Sequence, residues 1–434
     1  MSGIQDRVRG ALVALIKPPP ERLPLASEIG VPEMVGALGP ALLSSSQATS
    51  DVQETLERVA AAYERPDLRV FVLPTLVIVE DPGVAPSHTA IYPANNQQLR
   101  LDQAGAVDHA VRHAAAHRDD PSAVVAEIRR IEDRPPRFGV ALTIVGHLLL
   151  TVGFGLVLNP TVAALPVYAV LGAIVGTIVT FGTRMPTLSL ILPVFTAFVV
   201  TLVTSYAADA FIHDDVLRLV APALVSFLPG LTLTIAAVEL TSGQVMAGAS
   251  RLVYGIARLA LLAFGVFAAI VVTGHPAQVD VHAHQLGGWA AWVGILLVSV
   301  GYYFFSAAPR RSLVWILYAL VVAYAAQLLG NLLLGPELSG LVGAAIVVPA
   351  VYLAARIPAA PPVAIMLTCA YWLLVPGAMG FIGLSEAAAG AAGATNLILQ
   401  TFGSLIAIAT GMLIGAGVSR DATAVARGWR QPQP

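Results

Sequence analysis

Between Gly139 and Val418 the chain is apolar with very few charges, and it divides into ten blocks, each near the roughly 20 residues that a bilayer crossing needs. The blocks are Gly139–Leu158, Val162–Gly182, Leu188–Ala210, Leu219–Leu240 and Leu252–Thr273, then Trp289–Phe305, Leu313–Leu334, Leu338–Ala355, Val363–Leu384 and Leu397–Val418. The pattern ahead of them is different. Met34, Leu38, Leu42 and Leu43 recur at helical spacing, and Val52, Leu56, Val59 and Ala60 do so again behind Ser50 and Glu54, an approximate helix-start signal. Leu68 to Glu80 is β-branched and partly alternating, with Pro74 as punctuation, which predicts two short strands or one strand bent at the proline; Gln97 to Leu101 is a candidate third. Two polar helices follow, about Gly105–His117 and Pro121–Ile131. Lys17 to Pro24 reads as a proline-rich linker. Met1 to Lys17 is too weakly apolar for a signal peptide and is either a short surface helix or a tail.

These patterns divide the chain into a tail and linker (1–31), an α/β domain (32–137), two five-helix units (138–274 and 288–418) and a second tail (419–434). The predicted fold is an all-α polytopic membrane protein of ten transmembrane helices with a small α/β N-terminal cytoplasmic domain. Composition agrees: 57% of residues are hydrophobic and 12% charged, where a soluble domain has about a quarter charged. Fourteen of the 24 Lys and Arg residues lie at or before Arg137. A net charge of −2 argues against a nucleic-acid partner. The single cysteine, Cys369, forms no internal disulfide. With the N-terminal domain in the cytoplasm, Arg184, Arg251, Arg310, Arg311 and Arg356 fall on inner loops, and Arg420, Arg427 and Arg430 on the tail. The outer loops then receive only Arg218, which fits the positive-inside rule and places both termini in the cytoplasm.

Two stretches inside the apolar blocks resemble each other. Phe227-Leu-Pro-Gly-Leu-Thr-Leu-Thr-Ile-Ala-Ala-Val-Glu-Leu-Thr-Ser-Gly243 lies over Leu374-Val-Pro-Gly-Ala-Met-Gly-Phe-Ile-Gly-Leu-Ser-Glu-Ala-Ala-Ala-Gly390 with Pro229 on Pro376, Gly230 on Gly377, Glu239 on Glu386 and Gly243 on Gly390. The first lies in block four and the second in block nine. Five blocks per unit is an odd number, so the second unit is expected upside down relative to the first. That is the inverted-repeat plan of secondary transporters, with a site between the halves near midplane.

Candidate chemistry follows from that plan. The Pro-Gly breaks at Pro229, Gly230, Pro376 and Gly377 predict interrupted helices whose ends face a cavity, where a half-helix N-terminus favours a carboxylate; a plain packing kink is the alternative. Glu239, Glu386 and Asp209 are acidic residues in or at the edge of blocks, candidates for a substrate ammonium or a coupling proton. The competing placement leaves both glutamates solvated at helix ends. Arg258, seven residues beyond Arg251, is a candidate carboxylate partner or a side chain snorkelling to the cytoplasmic surface. His147 is a proton-relay candidate or a buried hydrogen-bonded histidine. Thr232, Thr234, Gln327, Asn331, Asn396 and Gln400 are candidates to line the cavity. His109, His113 and His117 share a helical face but no residues in register complete a metal set, so no metal or cofactor is expected. Neither a phosphate-binding glycine loop nor a Ser-His-Asp spacing is present.

The chain resembles the threonine/serine exporter family. The marks are Gln47-Ala-Thr-Ser-Asp-Val-Gln-Glu-Thr-Leu-Glu-Arg-Val-Ala-Ala-Ala-Tyr63, Val72-Leu-Pro-Thr75, Phe227-Leu-Pro-Gly-Leu-Thr-Leu-Thr and Ser242-Gly-Gln-Val-Met-Ala-Gly-Ala-Ser-Arg-Leu. The family's pattern has a glycine near Ser46 and near Glu64, and this chain has neither. The resemblance implies an inner-membrane transporter that exports threonine and serine, driven by the proton-motive force, and not an enzyme. For a zwitterionic cargo, the half-helix ends and Arg258 would take the carboxylate. Glu239, Glu386 or Asp209 would take the ammonium or the proton, and Thr232 and Thr234 the hydroxyl. Dicarboxylate export is a rival reading, and a membrane-anchored hydrolase with its chemistry in the N-terminal domain is another. Partners beyond cargo, protons and lipid are left open, a homo-oligomer included.

Overall fold

The computed structural model describes residues 29–428 apart from 84–87, 95–97, 184, 208–215, 275–284, 358, 375–376 and 389–393. Asp209, Pro376, Gly390 and the proline-rich linker lie outside the described residues.

The N-terminal domain opens with α1 (Val31–Ser44) and α2 (Thr49–Ala62). An antiparallel meander follows: β1 (Arg69–Leu73), β2 (Leu76–Asp81) and β3 (His88–Pro93). Pro74 and Thr75 form the tight turn that pairs Leu73 with Leu76. The third strand is therefore His88–Pro93 and not Gln97–Leu101: residues 98–100 carry no strand, and Leu101 begins α3 (Leu101–His117). α4 (Pro121–Glu132) closes the domain, its Asp120 accepting a hydrogen bond from the Ala123 N–H as an N-cap. The core forms where Met34, Leu38 and Leu42 of α1 meet Val77 and Val79 of the sheet and Val107 and Ile128 of the two later helices, all buried.

Ser46 and Glu64, near which glycines are expected from the resemblance, both have φ 62°. Each follows a helix end. Glu64 and Arg65 donate their N–H groups to Ala61 (3.1 Å) and Ala60 (2.9 Å), the wiring of a helix stop that needs one left-handed residue. A side chain there costs about 1 kcal/mol. Ser46→Gly is accordingly expected to stabilise the protein by up to about 1 kcal/mol, since the lost strain is partly offset by the freer unfolded chain. A higher melting temperature of the full-length protein is the reading that checks it.

Among the described residues twelve helices follow. The first six are α5 (Val140–Leu158), α6 (Leu165–Gly182), α7 (Pro186–Ala207), α8 (Val216–Ala223), α9 (Gly230–Thr241) and α10 (Val245–Thr273). The second six are α11 (Trp289–Phe305), α12 (Leu313–Leu334), α13 (Ser339–Ala354), α14 (Val363–Leu374), α15 (Gly377–Ala388) and α16 (Ala394–Gly428). Block four is thus not a single span but a pair of shorter helices, α8 and α9; in block nine α14 and α15 lie on either side of residues 375–376, which are outside the described residues. Among the described residues five helices are long and apolar enough to cross a membrane: α5, α6, α10, α12 and the Asn396–Ser419 part of α16.

Most helix pairs within the first six have a counterpart in the second. α5 packs on α6 as α11 packs on α12, and α6 on α7 as α12 on α13. α7 and α9 pack on α10 as α13 and α15 pack on α16. The sets exchange contacts reciprocally, α10 with α15 and α16 with α9. They join most extensively along α5 and α11, where Gly146 faces Gly301 and Gly153 faces Gly294, an antiparallel register. The N-terminal domain seats on this assembly. Leu101 donates its N–H to the Ser306 carbonyl (3.1 Å), and the Arg137 guanidinium hydrogen-bonds the Ala308 carbonyl and lies over the Phe138 ring.

Candidate functional site

The two helix interruptions organise the polar chemistry. Pro229 is the N-cap of α9, whose first helical residue is Gly230, and Gly377 is the first residue of α15. α8 ends at Ala223, six residues ahead of Pro229, and the first turn of α9 opens with N–H groups that have no intrahelical partner. α9 runs antiparallel to α10: a side-chain carbon at Gly248 would meet Ala236 and Leu240, and one at Gly255 would meet Leu233. That register carries Arg258 to the level of the α9 start. One residue on, Leu259 lies against Gly380 in the first turn of α15. Arg258 is half-buried, and its buried Nε has no hydrogen-bond partner.

Buried hydroxyls in these helices typically bond the carbonyl one turn back, as Thr196, Thr204, Ser205, Ser299 and Thr401 do. Thr234 on α9, Ser385 on α15 and Thr201 on α7 are buried without a partner. Two of these three lie on the helices that follow the breaks, one in each set. Buried polar groups are normally paired, so Thr234 and Ser385 are candidates to bond a ligand. Ser385 was not legible as a candidate, because a serine in a helix is ordinarily a packing residue.

His147 of α5 is fully buried beside the first break. Its Nδ1 meets the Gly172 carbonyl of α6 (3.1 Å) and its Nε2 meets the Ser226 hydroxyl (2.9 Å), three residues before Pro229. A carbonyl only accepts, so Nδ1 carries a proton and, in the neutral ring, Nε2 accepts from Ser226. The histidine therefore ties α5 and α6 to the interrupted segment. Thr232 is half-buried, as are Gln327 and Glu386. Asn331, Asn396 and Gln400 lie on the outer surface of the helix assembly and line nothing within it.

Glu239 is neither solvated nor open to a central cavity. Its side chain is 0% exposed at the end of α9, where the N-terminal domain covers it. Oε1 accepts two hydrogen bonds from one residue of that domain: the Thr49 backbone N–H (2.9 Å) and the Thr49 hydroxyl (3.0 Å). Oε2 lies 3.1 Å from Nε of Arg251, whose Nη2 donates to the Gln47 carbonyl (3.2 Å). Thr49 opens α2, whose N-cap Ala48 has no side-chain acceptor, so the carboxylate serves an orphan helix N–H across the domain boundary. Neither Thr49 nor the pairing of Arg251 was legible, since no local pattern joins residues 190 positions apart.

In the N-terminal domain the rings of His109, His113 and His117 stack, and His113 Nδ1 meets Asp119 Oδ2 at 2.8 Å. Among the described residues no three His, Cys, Asp or Glu side chains converge as a metal set. Ser122 turns its hydroxyl to Asp120. Burial raises the Asp108 carboxyl above the usual carboxylate range, against the opposing pull of Arg112.

Comparison with known proteins gives one family. The family model described as "Putative threonine/serine exporter" (ThrE) matches residues 33–273. No curated protein and no solved structure matches the chain. The matched stretch runs from α1 of the N-terminal domain through α10, more than half of the 434 residues, and it contains both Thr49 and the interrupted helix with Glu239. The chain belongs to the threonine/serine exporter family.

Proposed function

We propose that the protein is a secondary transporter of the inner membrane that exports threonine and serine by alternating access of two inverted repeats, driven by the proton-motive force. The observation that carries this reading is the pair of short helices that open at the two Pro-Gly motifs, α9 and α15, each holding a buried hydroxyl with no protein partner, Thr234 and Ser385. The reciprocal packing of the two helix sets supports the repeat. The antiparallel α5–α11 register supports its inversion, because equivalent helices related by an axis along the membrane normal would run parallel. In this reading α8–α9 and α14–α15 each count as one interrupted crossing, which gives ten.

The cargo carboxylate sits on the α9 and α15 N-termini and Arg258, at the Pro229–Gly230 and Pro376–Gly377 breaks. Its hydroxyl bonds Thr234, Ser385 or Thr232, while Glu386, Asp209 and His147 are the groups through which a proton is coupled. The N-terminal domain and both chain ends face the cytoplasm. Cells loaded with a threonine-containing dipeptide are expected to release threonine faster when they carry the protein, and a protonophore is expected to abolish the difference. One feature favours a dicarboxylate as the rival cargo: Glu239 lies against Arg251, and among the described residues the buried Nε of Arg258 has no partner. Succinate efflux in the same cells, with threonine efflux unchanged, would establish that cargo instead.

A further inference from the structure

The Thr49–Glu239 contact has the chemistry of the cargo. A free threonine or serine presents an α-nitrogen and a β-hydroxyl two carbons apart. Thr49 presents the same two donors, and both reach a single carboxylate oxygen, Glu239 Oε1, at 2.9 and 3.0 Å. Arg251 balances that carboxylate, so the pair is neutral overall and suits a zwitterion. Its Nη2 rests on a backbone carbonyl, a weaker partner than the carboxylate a free amino acid would bring. Ala48 packs against the buried cluster that contains Leu231 and Ile235 of α9 and Tyr371 of α14, so the corner beside Thr49 rests on residues of both helix sets.

We infer that Glu239 and Arg251 form a cytoplasmic loading station for hydroxy amino acids and that Thr49 occupies it as a built-in pseudosubstrate. This rests on the export reading and adds a site and a form of control to it. Helix capping alone gives a weaker account. A carboxylate already neutralised by an arginine gains little from the dipole of α2, and a cap has no use for the threonine hydroxyl. A free amino acid brings an ammonium where Thr49 has only an amide, so it binds the carboxylate more tightly, contact for contact. Thr49 compensates through its tether, which acts as a local concentration of order millimolar. Export therefore stays low until cytoplasmic threonine or serine reaches that range, and then the corner lifts.

The test uses full-length protein in lipid nanodiscs and in cells. A Gln47→Cys variant places a reactive thiol on the corner, and the native Cys369 is buried. Maleimide labelling is expected to accelerate several-fold with threonine or serine at about 10 mM. Valine, which has the shape of threonine without the hydroxyl, is expected to leave the rate unchanged. In cells, Thr49→Val is expected to lower the threonine level for half-maximal efflux roughly tenfold, the factor carried by one hydrogen bond to a charged group. Glu239→Gln is expected to label quickly whatever is added. Equal acceleration by valine overturns the pseudosubstrate. So does labelling that ignores threonine together with an unchanged threshold in Thr49→Val while efflux persists, which leaves a plain domain clamp. Labelling that answers threonine in a protein that exports none keeps the station and removes the export reading.

Discussion

Gly301→Leu is expected to abolish accumulation of folded protein. A Cβ at Gly301 would lie 2.4 Å from the Leu150 backbone nitrogen, and one at Gly153 would lie 2.7 Å from the Gly294 carbonyl oxygen. Both obstacles are backbone, which no rotamer change can move. A leucine there must part α5 from α11, the widest contact between the two helix sets. Overpacking of a tight core costs about 1–3 kcal/mol and at times more; forcing two backbones apart falls at the upper end or beyond. Small residues at such crossings supply the close approach on which association in lipid depends. Gly403→Leu is the matched control, because nothing lies within 4 Å of a carbon added there. Comparing the two variants by yield and by monodispersity in detergent separates the steric argument from a general intolerance of leucine.

How much of this was legible in the sequence depends on the range of the interaction. The apolar stretches, the two strands on either side of Pro74 and the break at Pro229-Gly230 are local patterns, and helices, the two-strand alternative and a helix start appear at those places. The third strand was misplaced because His88–Pro93 opens with two polar residues, ends in proline and is mostly exposed, so it lacks a strand's apolar signature. Ser46 and Glu64 are informative in the opposite direction. Glycines are expected near them from the resemblance, the backbone takes the glycine conformation, and the chain tolerates the strain. The site was legible only in outline. Glu239 stood out as an acid in an apolar block, but its partner Thr49 comes from another domain and no periodicity connects them. Ser385 became visible only through the absence of the turn-back bond that its counterparts make.

Arg258→Gln is expected to reduce threonine efflux about tenfold to a hundredfold with little change in the amount of protein in the membrane. The estimate is the roughly 1.5–3 kcal/mol carried by a hydrogen bond to an ionised group. An arginine this far into an apolar helix is costly to bury, and its Nε has no protein partner to offset the cost. Snorkelling predicts a different result: a side chain serving only to reach the surface can be exchanged for glutamine or lysine without loss of transport. A carboxylate receptor cannot, because lysine supplies the charge without the fork and should recover only part of the rate. The rank order of wild type, Arg258→Lys and Arg258→Gln in an efflux assay decides between these placements. Thr234→Val and Ser385→Ala then extend the test to the hydroxyl. If these two groups read the cargo's β-hydroxyl, each change should weaken export of threonine and serine while narrowing the preference over alanine. A loss confined to protein yield would instead make them packing residues of α9 and α15.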